Sequence, residues 1–214
     1  MFDRLFRTDA PFWEFMGRVG DLIIINILTV VLSIPVLTIG ASLTALTDVT
    51  HKLAQDVGGS VVRLYLTSWW SNLRQATALW LLVAVPAAGT AALWLLPQQP
   101  LLLVLKVLAS VVFLLVFPFV WALQARFENS VLRTVANAVM ISLGRLPYSA
   151  AILVIDAALV ALTLAALSYL AALAAPLLLL GLGLLSAANE PLLDRALRPW
   201  LGGTTEDESR VDQA

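Results

Sequence analysis

The chain has 214 residues, of which 60% are hydrophobic and 13% charged, with a formal net charge of −1. Soluble domains carry about 25% charged residues, so this much apolar surface requires a lipid environment and excludes a water-soluble globule. With no cysteine and the single histidine His51, disulfide scaffolds, thiolate metal sites, cysteine nucleophiles and multi-histidine clusters are excluded as well.

In chain order, residues 1–20 set Phe2, Leu5, Phe6, Phe12, Trp13, Phe15 and Met16 among Arg4, Arg7, Asp9, Glu14 and Arg18. An aromatic, charged segment of this kind belongs at headgroup level. Pro11 splits it, and Thr8 or Asp9 is placed to cap a second short helix. It lacks the short basic start of a cleaved signal, and none is expected.

Residues 21–47 begin as a membrane helix that Pro35 must interrupt, because proline removes a ladder hydrogen bond. Asn26, Thr29 and Ser33 fall at helical spacing on one side and point to interhelical contact. The expected form is a helix, a break at Pro35 and a shorter return helix. Length alone favours a single crossing, since two full crossings need about 40 residues. Residues 48–57 then read as an amphipathic interfacial helix, with Leu46, Val49, Leu53 and Val57 apolar and Asp48, His51, Lys52 and Gln55 wet.

After Gly58 and Gly59, residues 60–75 form a second interfacial helix carrying Trp69, Trp70 and Arg74, which runs into a span over 76–96. A tight uncharged turn at Pro97–Pro100 leads to a span over 101–125, with Lys106 inside it. Residues 126–146, including Arg133, are again amphipathic, and Pro147 starts the next span. The apolar stretch that follows divides into spans over 148–169 and 173–188. Residues 202–214 are acidic and polar and are expected to be disordered. The fold class is therefore all-α: a polytopic integral membrane helical bundle with four firm spans plus a broken or re-entrant N-terminal segment, in one transmembrane domain over 1–201.

Lysines and arginines cluster before residue 19, over 52–74, over 126–145 and after 195, whereas the Pro97–Pro100 turn and the 170–176 turn have none. The positive-inside rule puts the charged segments and the C-terminus in the cytoplasm. It favours the hairpin for 21–47, since a single crossing would strand Arg4, Arg7 and Arg18 outside.

The candidate intramembrane polar residues are Asp156, Lys106, Asn26 and Thr29. Counted from Pro147, Asp156 falls near mid-membrane, where a carboxylate costs about 2.5–3.5 kcal/mol on insertion scales. It is expected to face the bundle, through a structural hydrogen bond or a proton- or substrate-linked role. Lys106 is expected to snorkel toward the outer face. Trp69, Trp70, Arg74 and Arg133 are candidates for contact with lipid or a partner. Ser60 lacks the frame and base of a nucleophile, and Gly181-Leu-Gly183 in an apolar helix signals packing. No catalytic, cofactor or metal site is expected.

Three motif blocks carry a resemblance. Asn26-x-Leu28, Ser33-Ile-Pro35 and Thr38-Ile-Gly40-Ala41-x-x-Thr44-Ala45-Leu46 resemble the N-terminal signature of the YesL family of bacterial membrane proteins. Asn72-x-Arg74-Gln75-Ala76-Thr77 and Arg126-Phe127-Glu128-Asn129, with Asn137-Ala138, are similar to its second and third blocks. The resemblance covers about residues 10–150. It implies a non-enzymatic protein of the bacterial inner membrane, accessory to carbohydrate uptake or its regulation, with membrane lipid and the permease subunits of an ABC importer as partners. It implies no nucleic acid partner and no catalytic residues. A small stand-alone transporter or channel, with a polar path near Asp156, Asn26 and Thr29, is the competing expectation.

Overall fold

The computed structural model describes residues 11–97, 99–169 and 171–201. Those residues form seven α-helices, α1 (Pro11–Leu32), α2 (Ile39–Ala54), α3 (Val61–Leu95), α4 (Pro100–Arg126), α5 (Val131–Gly144), α6 (Leu146–Tyr169) and α7 (Ala171–Leu201), and no strand. In lipid only a helix satisfies its own backbone, so even the β-branched run Ile23–Val31 is helical. Five of the helices, α1, α3, α4, α6 and α7, are long and apolar enough to cross a membrane.

The N-terminal segment breaks where proline requires it. Helix α1 ends at Leu32, and Pro35 precedes a single 3₁₀ turn, Val36–Thr38. The Thr38 hydroxyl lies within hydrogen-bond reach of the carbonyls of Leu32 (2.6 Å) and Pro35 (2.7 Å), covering acceptors that the break leaves open. Helix α2 then runs back along α1, so that Arg18 near the start of α1 meets Asp56 just past α2 at 3.1 Å. Helix α1 also extends further than expected. It runs unbroken from Pro11 through Gly17 and Gly20, where a separate interfacial helix was anticipated. Residues 1–10 and 202–214, with their expected cap and acidic tail, lie outside the described residues.

The larger correction concerns α2. The sequence reading made 48–57 a separate interfacial helix, yet residues 48–54 continue the return helix, which packs against α1, α3, α4 and α7, and 55–57 lie exposed past its end. Gly40, Ala41, Ser42, Thr44, Ala45, Leu46, Thr47, Val49 and Thr50 are all buried. Small side chains let four neighbours approach. The threonine hydroxyls stay satisfied by bonding back one turn, as Thr44 does to Gly40 (2.8 Å) and Thr50 to Leu46 (2.8 Å). The closest approach is at Gly40, where a side-chain carbon would meet the Ala76 carbonyl and lie 2.7 Å from Trp80 Cβ. Gly183 does the same between α7 and α1, 2.7 Å from the Leu22 carbonyl.

Helix α3 is continuous over 35 residues, about 52 Å, some 20 Å more than the hydrocarbon core. Its first four turns are the expected 60–75 segment, with Val61, Tyr65 and Ser68 buried. Helix α4 extends one residue past the predicted span to Arg126, and α5 starts at Val131, so the predicted 126–146 helix is shortened at its front. Pro147 sits in the first turn of α6, where its missing N–H costs nothing. Helix α7 runs 31 residues, well beyond the predicted 173–188.

Candidate functional site at the charged end of the bundle

The ends of α2, α4 and the middle of α7 bring three ionisable side chains into one contact. Glu190 Oε1 accepts from Arg126 Nη2 at 2.6 Å and lies 2.6 Å from His51 Nδ1. The side chains of Arg126 and Glu190 are 3% and 4% exposed. His51 Nε2 lies 3.0 Å from the Gln55 amide nitrogen, so a neutral ring with its proton on Nδ1 satisfies both contacts. Arg126 Nη1 also approaches Asp194 at 3.8 Å, and Lys52 pairs with Asp48 at 2.6 Å one turn apart on α2. His51, Glu190 and Asp194 place ligand atoms within 4.8 Å of one another, a spacing that suits a metal ion. The Arg126 guanidinium already pairs with Glu190 and approaches Asp194 there, so part of the negative charge a metal ion would meet is offset.

This ion pair borders two cavities. Glu190 lines one of about 400 Å³, with Arg18, Asp21, Thr50, Asp56 and the Gly58–Gly59 loop. Arg126 lines the other, of about 550 Å³, with Ser71, Asn72, Gln75, Gln124, Phe127, Glu128 and Asn129. In the second cavity Gln75 donates to the Asn129 carbonyl, and Gln124 Nε2 donates to Asn72 Oδ1 at 3.3 Å. Those contacts tie α3 to the end of α4 and the turn that follows it. Among the described residues Gln124 Oε1, Arg126 Nε and Nη1, and Glu190 Oε2 are buried without a hydrogen-bond partner.

The predicted polar residues are not gathered in one place. Asn26 is buried between α1 and α7, donating to the Leu178 carbonyl (3.0 Å) and accepting from the Leu182 amide (2.8 Å), two groups that a helical ladder would pair with each other. Thr29 is buried 2.9 Å from the Tyr65 hydroxyl, which donates to the Ser42 carbonyl and so joins α1, α2 and α3. Asp156 accepts from Asn189 Nδ2 at 2.6 Å. Asn189 adjoins Glu190, so this bond sets Asp156 of α6 beside the part of α7 that meets the end of α4. Arg145, just before α6, lies over the Trp200 ring near the end of α7 (5.9 Å).

Lys106 is 1% exposed. Its ammonium reaches back to the Leu96 carbonyl (2.7 Å) at the end of α3 and lies 5.8 Å from the Trp94 ring centre. Trp69 turns partly inward, donating to Ser42 Oγ at 3.3 Å, whereas Trp70 is 73% exposed and Arg74 and Arg133 are exposed. The sequence reading missed Arg126 and Glu190 as a pair. Their signal was an acid in the otherwise apolar SAANEPLL stretch and a basic residue closing the clearest span.

Fold and site together define a polytopic helical membrane protein with the Arg126–Glu190 pair where α4 ends and the buried Lys106 at the turn between α3 and α4. Residues 22–92, from within α1 to near the end of α3, match the family described as "Protein of unknown function, DUF624". No curated protein and no solved structure matches the chain.

Proposed function

We propose that this chain is a non-enzymatic subunit of the bacterial cytoplasmic membrane, accessory to carbohydrate uptake by an ABC-type importer or to the regulation of that uptake. The observation that carries the reading is the convergence of two sequence blocks resembling the YesL family. Asn72 and Gln75 of the second block meet Arg126, Phe127, Glu128 and Asn129 of the third around one cavity. The start of α3 and the α4–α5 junction therefore form one continuous face. Trp70, Arg74, Leu132 and Arg133 lie exposed on these two segments. Aromatic and arginine side chains are the usual anchors of a protein interface. By the positive-inside rule the charged end, with the end of α7, is cytoplasmic.

The test is purification from native membranes in mild detergent, with a photo-cross-linker at Arg133 or Trp70. Capture of an importer's permease subunit is the expected result. Cross-links only to lipid and to other copies of the chain would overturn it, as would solute movement by the purified protein alone in liposomes, the mark of a stand-alone transporter.

A further inference from the structure

We infer that the groove between α3, α4 and α5 is a binding site for one acyl chain of a membrane phospholipid. It needs no importer partner. Eight residues of α4, from Leu105 to Val120, line the groove, with the Leu82–Thr90 stretch of α3 along it and two valines of α5, Val135 and Val139. Every lining side chain is apolar except Thr90. The floor is buried at Val83 and Val120, whereas Leu108 and Val112 on the rim are exposed.

Depth and shape identify the occupant. Helix α4 has 27 residues, and the groove begins five residues in from Pro100 and stops six short of Arg126. It therefore lies within the hydrocarbon core, about 30 Å thick. Water finds no partners on such walls, and an apolar cavity stays dry, so hydrocarbon must fill this one. From Leu105 to Val120 the groove is about 22 Å long at 1.5 Å per residue. A volume of about 440 Å³ spread over that length leaves a cross-section of about 20 Å². A neighbouring helix, about 10–12 Å across, needs about 80 Å² or more and cannot enter. A single alkyl chain, whose carbons hold other carbons about 4 Å away, fits. A chain lying on a convex helix face touches protein on one side only. In the groove three helices surround it, so it exchanges more slowly than the lipid around the bundle.

The experiment places the full chain in nanodiscs containing a phosphatidylcholine with a diazirine on its acyl chain. After illumination, peptide mass spectrometry reads the label at each residue. Leu108 and Val112 in the groove are compared with Leu162 and Val154 on α6, which are about as exposed or more so (58% and 40% against 54% and 67%). At least fivefold more label in the groove is expected, and equal labelling of the matched pairs overturns the inference. Native mass spectrometry of the chain in detergent gives a second measure. One phospholipid should remain bound, and Ala109→Trp, which fills the groove, should lower its occupancy at least tenfold. Ala157→Trp, on the exposed face of α6, should leave it unchanged. Equal retention in the two variants overturns the inference. A dimer that Ala109→Trp abolishes overturns it as well, since the groove would then belong to a second copy. Labelling of the unaltered chain decides the matter even if Ala109→Trp fails to fold.

Discussion

The Arg126–Glu190 pair and the Gly40 contact make opposite demands on substitution. Removing one partner of a buried ion pair leaves an uncompensated charge, at a cost of about 3–5 kcal/mol, whereas replacing both by apolar residues of similar size is often neutral. Arg126→Met and Glu190→Leu should each lower the melting temperature in detergent sharply, and the double variant should recover most of the loss. Additive losses would mean that the two side chains act independently. At Gly40 the obstacle is the Ala76 backbone and Trp80 Cβ, neither of which can swing aside. Gly40→Ala should therefore destabilise by about 1–3 kcal/mol through overpacking. Gly89, inside α3 and with nothing within 4 Å, is the control. Gly89→Ala should stabilise by about 0.5–1 kcal/mol, since glycine in a helix interior pays extra backbone entropy.

At the scale of elements, long apolar runs were readable because a span needs about 20 apolar residues and leaves a signal as long as itself. The break at Pro35 and the start of α6 at Pro147 were readable because proline acts locally. The central place of α2 was not, since a return helix was expected but its neighbours come from four separate parts of the chain. Nor was the charged cluster, whose members stand 64 and 139 residues apart. Lys106 shows a middle case: its place inside a span was legible, but its acceptor at the end of α3 was not. Lys106→Met should remove the donor at the Leu96 carbonyl and loosen the α3–α4 turn. A hydrogen bond to a charged group is worth about 1.5–3 kcal/mol, less where water can replace it at the bundle edge, so a loss of about 1 kcal/mol is expected in a thermal melt. An unchanged melt would mean that water serves the carbonyl as well.

For the whole molecule, the contact between Arg18 and Asp56 puts the two ends of the α1–α2 hairpin on one side of the bundle. The chain lacks native cysteine, so single introduced thiols report cleanly. Gly17→Cys and Gly58→Cys should both be shielded from an impermeant maleimide in intact cells and both react in inverted vesicles, while Gln99→Cys shows the reverse. Labelling of Gly17 and Gly58 from opposite sides would show that α1 and α2 cross the membrane as one unit.

The central position of α2 also bears on how the protein is made. A helix of 16 residues rich in threonine and alanine has little to hold it in lipid by itself, and its shelter comes from α1, α3, α4 and α7. Three of those four emerge from the ribosome after it, and α7 emerges last. The nascent chain therefore completes the shelter of α2 only when α7 is made, with Asn26 waiting for Leu178 and His51 for Glu190. Assembly closes from the C-terminal side inward. A chain cut short before α7 leaves its second helix open to membrane proteases, although every residue of that helix has already been made.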